Sequence, residues 1–222
     1  MKGENKSFPI DRVFAELMAK GLISSRRRLR RKKATWSHTF KAGILRPKNI
    51  YYNEMYSSLA DDLLGFALLH EEGHHTTKQN WKILVGFIVA GFGALTYFYL
   101  LGWYLGHPSG DALNFACVVM FFLSLLSLRA FETPLQEDET RSDLHSARTM
   151  VEKLGIQKPS IAATALFKIL DERKRDRTSL SYRTMRFIGG GIHPPDTERI
   201  KAIRELEESI AEGADEDGNA LH

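Results

Sequence analysis

His70-Glu71-Glu72-Gly73-His74 is the stretch of this chain whose residue types and spacing could do chemistry. It has the form H-E-x-x-H. Successive residues of a helix turn by about 100°, so His70 and His74 lie on one face and can offer two imidazole nitrogens to a single metal ion. His75, one position further, points well away. Glu71 stands beside the pair, where a carboxylate can take a proton from a water held by the metal. The set predicts metal-assisted hydrolysis of the kind a zinc peptidase performs, with His70 and His74 as ligands and Glu71 as catalytic base. Two ordinary histidines could fall into this spacing by accident, so the surroundings must decide.

The elements that position the motif are legible on either side of it. Ser58-Leu-Ala-Asp61 reads as a helix start with an acidic residue three positions on, and Leu59, Leu63, Phe66 and His70 follow at helical spacing. The two histidines thus extend an apolar stripe and face the interior. A catalytic zinc needs a third protein ligand and an open fourth position. Glu137, Asp138 and Glu139 are all chemically able. Glu139 and Asp143 are four apart, so one could ligate while the other orients a histidine ring from behind. Spacing alone selects none of them, because acids at a helix N-terminus are ordinarily just solvated.

Between these two halves the chain is apolar. Ile83 to Gly106 contains no charged residue, and neither does Ala112 to Leu128 beyond the turn His107 to Asp111. A bilayer core takes about 20 apolar residues, so a helical hairpin of two membrane spans is expected. Lys78, Lys82 and Arg129 flank its open ends while the connecting turn has no Lys or Arg, which places the open ends and the metal site on the cytoplasmic side of a cytoplasmic membrane. Trp81, Trp103 and Tyr104 stand where interfacial aromatics would anchor the first span. The hairpin leaves and returns on the same side, so a downstream ligand can meet the histidines.

The 222 residues carry a net charge of +4, and the sequence pI is near 9.1. Much of that excess lies in Arg26-Arg27-Arg28-Leu29-Arg30-Arg31-Lys32-Lys33, read as a solvated run. It lacks the interleaved aromatics of a nucleic-acid reader, and beside a membrane it would favour the anionic leaflet. The mean hydropathy of −0.26 hides the segregation of charged from apolar segments. One cysteine, Cys117, excludes an internal disulfide and a Cys-rich metal site. Residues 1 to 8 are polar, so a cleaved secretory leader is not expected.

Ile10, Val13, Phe14 and Leu17 recur at helical spacing and Gly21 marks a stop, which predicts a short amphipathic helix. Trp36 to Phe40 and Asn49 to Tyr52 read as strands of a small hairpin or sheet edge, separated by Gly43 and Pro47. An exposed strand beside the metal helix could hold a substrate backbone as an added strand. Ser160 to Arg175 and Pro195 to Glu208 read as helices, and Gly189 to Gly191 as a flexible approach to His193. Ala211 to His222 is acidic and reads as a frayed tail.

In their order, these features resemble the membrane zinc metallopeptidases that include HtpX and the CAAX prenyl protease, a group with H-E-x-x-H and a downstream Glu ligand. The likeness covers roughly Gly43 to Ile203. It rests on His70 to His74, the hydrophobic hairpin, Glu139-Thr-Arg-Ser-Asp143 and His193-Pro194-Pro195 through Arg199-Ile200. The family's E-x-x-A-D element has Ser142 where Ala is usual. By resemblance, Glu139 is the third zinc ligand and His193 an auxiliary to the site. The chain departs from the family in offering no hydrophobic span before the metal helix.

The fold class expected is therefore mainly α (α+β), a zincin-type metal helix with a small β hairpin or edge sheet and an inserted transmembrane hairpin. The expected segments are a basic N-terminal stretch at 1–33, a metallopeptidase domain at 34–80 and 132–210, the hairpin at 81–131 and the tail at 211–222. The expected activity is Zn²⁺-dependent endopeptidase action on polypeptides, chiefly membrane proteins under quality control. The partners expected are a lipid bilayer and no nucleic acid. A CAAX-type processing protease, a catalytically silent zinc-binding membrane scaffold and a polybasic membrane adaptor are the alternatives.

Overall fold

The computed structural model describes residues 8–32, 41–42, 48–76, 80–106, 136–175 and 194–219, together with positions 118 and 134. The described chain is mainly helical with one small sheet. It divides into a unit built from Met1–Thr77, Asp138–Ser179 and Pro194–His222, and a second unit built from Lys78–Glu137 and Leu180–His193.

In the first unit, helix α1 (Pro9–Ala19) opens with proline at its first turn, and the Asp11 carboxylate accepts the Phe8 backbone N–H at 3.2 Å. Gly21, at φ +71°, closes the helix by letting the Gly21 and Leu22 amides turn back onto Met18 and Leu17. Ile10, Val13, Phe14 and Leu17 are buried, so the amphipathic helix docks on the core. The described residues 8–32 belong to the same compact unit as the metal helix.

Three strands follow: β1 (Arg28–Lys32), β2 (Lys41–Ala42) and β3 (Asn49–Asn53), in the order β1-β3-β2. β1 runs parallel to β3 and β2 antiparallel to it. The basic run is thus largely an edge strand, with its cations from Arg28 to Lys32 exposed. Its registration sets Leu29 beside Ile50, and Ile50 and Tyr52 drop into the core. Trp36 to Phe40 lie outside the described residues.

Helix α2 (Asp61–Thr76) carries the H-E-x-x-H motif. It begins at Asp61, later than the Ser58 start expected, after a short 3-10 turn at Glu54–Tyr56. Leu63, Leu64, Phe66, Ala67, Leu68 and Leu69 are all buried. A helix apolar on every side must be surrounded, and α2 is: it packs on α1, on β2 and on α5 (Pro159–Arg175). Helix α4, residues 136–154, lies against it too, where Ser146 Oγ donates to the Phe66 carbonyl at 3.1 Å. Helix α6 (Asp196–Asn219) covers α5, and its Glu207 carboxylate accepts both the Ser160 amide at 2.6 Å and the Ser160 hydroxyl at 2.9 Å. α6 continues to Asn219, through most of the acidic stretch expected to fray.

The second unit contains α3 (Asn80–Gly106). Among the described residues no helix is long and apolar enough to cross a membrane. Side chains of α3 are described only from Gly91 onward, a stretch shorter than a bilayer crossing. Of the second expected span, Ala112 to Leu128, only Val118 is described. His107 to Asp111, Lys78, Arg129 and Cys117 lie outside the described residues, and so do the side chains of Trp81 and Lys82.

Candidate metal centre

α2 and α4 approach closely enough to place five acidic and imidazole side chains in contact. Gly73 makes the approach possible: a Cβ built there would stand 2.9 Å from the Ser142 Cα. From α2 come His70 and His74, one turn apart on the side that faces α4. From α4 come Asp138, Glu139, Ser142 and Asp143, two pairs four residues apart that repeat the spacing of the histidines.

Each imidazole is held from behind. His70 Nδ1 lies 2.8 Å from Asp143 Oδ1, and His74 Nδ1 lies 2.7 Å from Asp138 Oδ2 and 3.1 Å from Ser142 Oγ. With Nδ1–H donated to a carboxylate, Nε2 of each neutral ring presents a lone pair. The two Nε2 atoms are 3.1 Å apart, and the Glu139 carboxylate stands 3.4 Å from each, through Oε2 to His70 and Oε1 to His74. Three electron-pair donors therefore converge on one point, in side chains only 12 to 15 % exposed. Such a convergence is repulsive until a cation lies within it.

The spacing also suits a particular kind of cation. Donor atoms about 2.0–2.1 Å from a tetrahedral ion stand about 3.3 Å from one another, close to the separations found here. Two imidazoles and a carboxylate, each imidazole backed by its own carboxylate, form a donor set that a divalent first-row metal accepts. Among the described residues, His70, His74 and Glu139 are the one group of this kind. They can hold a metal ion.

Burial alone would push the His70 ring down. Asp143 and Glu139 outweigh it and push His70 up to about 10. A proton on His70 and a metal ion thus compete for the same lone pair. Asp143 is buried, which opposes its ionisation, yet the His70 ring and the Arg199 guanidinium hold its carboxyl below the usual range. Arg199 Nε and Nη2 donate to the two Asp143 oxygens at 2.6 and 2.8 Å, and Nη2 is 3.7 Å from Glu139 Oε2. The guanidinium lies over the Phe167 ring at 4.1 Å, which fixes its plane.

Glu71 is buried beside His70 on α2, at 5 % exposure. Glu72 faces elsewhere and accepts from Arg27 Nε at 2.7 Å in a largely buried ion pair. One member of the basic run is therefore interior. His193 lies outside the described residues.

Of the residues expected at the site, His70, His74 and Glu139 converge at the metal point, Asp143 stands behind His70, and Glu71 is adjacent to it in the chain. Sequence reasoning gave no role to Ser142 or Arg199 and weighed Asp138 only as a possible ligand. The signal for Asp138 and Ser142 was present: 138/142 runs beside 139/143, a second pair at helical spacing on the same helix. Arg199 carried no such local sign, since its partner lies 56 residues away. Comparison with protein-family models, with curated proteins and with solved structures returned no match to this chain.

Proposed function

We propose that this chain is a zinc-dependent endopeptidase anchored in a cytoplasmic membrane, similar to the HtpX-like metallopeptidases. The observation that carries the reading is the convergence of His70 Nε2, His74 Nε2 and the Glu139 carboxylate at separations of 3.1, 3.4 and 3.4 Å, with the two histidines on the helix that also bears Glu71. Zinc bound there would polarise a scissile carbonyl and acidify a water. Glu71 would accept the proton of that water and return it to the leaving amine. Asp143 and Asp138 keep the two rings in the tautomer whose Nε2 is free to ligate, and Arg199 keeps Asp143 ionised.

The membrane part of the proposal is supported by α3. Its residues Ile83 to Gly106 include no charge, and Phe92, Leu95, Tyr99 and Trp103 are 51 to 74 % exposed along it. The Thr96 hydroxyl returns to the Phe92 carbonyl at 2.8 Å, so a polar group on this apolar helix is satisfied internally. Substrates proposed are polypeptides, chiefly misfolded membrane proteins, with processing at a C-terminal motif as the narrower alternative.

The test is cleavage of an unfolded protein by the detergent-purified chain, stripped of metal and resupplied with zinc, beside Glu71→Gln. Zinc should restore cutting to the wild type, while Glu71→Gln should bind zinc and cut at least about 100-fold more slowly. Stoichiometric zinc with no cutting of any peptide by either protein would leave a silent zinc scaffold. Failure of both to bind zinc would end the proposal.

A further inference from the structure

The basic run is sorted by the sheet into two kinds of residue. Arg27 is drawn inward to Glu72, and Arg31, on the Leu29 side of β1, pairs with Glu54 at 3.0 Å. Arg28, Arg30 and Lys32 alternate with them and are all exposed. In a strand, alternate residues share a face and stand about 6.6 Å apart, so these three cations form a line about 13 Å long. The registration with β3 sets them beside Asn49, Tyr51 and Asn53, on the face opposite the buried Ile50 and Tyr52, although Asn53 at the strand's end is itself buried. Lys32 Nζ lies 4.5 Å from the Tyr51 ring centroid, and Lys41 of β2 is in register with Tyr51. The outer face of the sheet is therefore a cationic row around one half-buried tyrosine.

From this arrangement we infer that the outer face of the sheet docks on an anionic phospholipid surface, with Arg28, Arg30 and Lys32 against headgroup phosphates and Tyr51 at headgroup level. Charge complementarity selects the partner, and an amphipathic ring among cations suits a bilayer interface. A charged edge strand also discourages sheet-to-sheet aggregation, but that purpose asks nothing of one face in particular. The inference deepens the membrane part of the proposed function and does not require the metal centre to be catalytic.

The experiment is sedimentation of the full chain with vesicles of phosphatidylcholine alone or with about 30 mol % phosphatidylglycerol, at about 0.05 and about 0.5 M salt. The wild type should prefer the anionic vesicles strongly at low salt and lose most of that preference at high salt. Three cations at roughly fivefold each make the preference of the triple variant Arg28→Gln, Arg30→Gln, Lys32→Gln about 100-fold smaller. Removing equal charge from Arg148, Lys201 and Arg204 should leave it in place, as should the charge-keeping set Arg28→Lys, Arg30→Lys, Lys32→Arg. Equal loss in the Arg148, Lys201, Arg204 variant would reduce the effect to net charge and overturn the inference. Tight, salt-independent binding to both vesicles would overturn it while leaving insertion of α3 intact, whereas binding to neither would overturn both. Tighter binding to a single-stranded oligonucleotide than to anionic vesicles would assign the face to nucleic acid instead.

Discussion

α2 and α3 are both rich in apolar residues, yet they meet opposite surroundings. Leu64, Leu68 and Leu69 of α2 are wholly buried, while Phe92, Leu95 and Tyr99 of α3 are 68 to 74 % exposed. α2 needs protein on every side because it carries imidazoles and carboxylates that must find partners away from water. The described part of α3 carries no imidazole or carboxylate, and its Thr96 hydroxyl is satisfied by its own backbone, so it makes no such demand. The difference teaches that apolar content alone does not tell a core helix from one whose apolar side chains stay exposed. The polar residues a helix carries, and what answers them, do.

The comparison can be broken most easily by truncation. Leu68→Ala should cost about 2–5 kcal/mol of stability, because it leaves a cavity in the core. Leu95→Ala should fall within about 0.5 kcal/mol in detergent, with its effect instead on retention in vesicles under alkaline wash. Thermal unfolding of the two variants side by side decides; comparable losses would mean that α3 is a core helix.

The two glycines of α2 sharpen the same contrast within one helix. Gly73→Ala forces α2 and α4 apart at Ser142 and should cost about 1–3 kcal/mol, together with weaker zinc binding. Gly65→Ala meets nothing within 4 Å and should gain up to about 1 kcal/mol from helix propensity. Denaturant titration of both variants measures the pair. A neutral Gly73→Ala would show that the helix crossing yields readily at Ser142.

Next in size is the support behind the ligands. Asp143→Asn keeps the shape but loses the charge that orients His70 and receives Arg199, so zinc affinity should fall about 10–100-fold by chelator competition. An unchanged affinity would leave Asp143 a purely structural partner of Arg199.

The smallest effect is that of pH on the metal-free chain. Burial, then Arg27 and His74, push His75 down to about 4, and burial lowers His145 as well. Both fold as neutral rings, so the unfolded chain binds more protons below the ordinary histidine range. Their contribution is complete above about pH 6.5 and is lost as pH falls from there, for His75 down to about 4. His70 acts in the other direction, with stability present below about 6.5 and lost as pH rises toward 10. Replacing His75 and His145 by Gln should flatten the acid side of the stability curve and leave the alkaline side alone.

Much of the candidate site was legible in the sequence because it depends on local spacing. His70 and His74, and again Glu139 and Asp143, need only a helix to bring them onto one face, and α1, α5 and the start of α6 were equally plain from apolar periodicity. The fate of the basic run was not legible. Strand pairing with β3 decides which of its residues point inward, and Arg27 reaches Glu72 across 45 positions. Arg199 is the same case: it stands in a motif, but its partner Asp143 is not apparent until α6 lays it against α4.

By itself, then, the sequence determined which residues could ligate a metal, which helix would carry them and where the long apolar segments lie, since helical periodicity and hydropathy act over a few turns of chain. Only the tertiary structure decided that Glu139 completes the donor set, that Asp138 and Asp143 each back one ring, and that Arg27 turns inward while the cations of β1 stay exposed. Those outcomes depend on how helices and strands distant in sequence pack, a matter of steric fit at places such as Gly73 and Ser142 that no local pattern encodes.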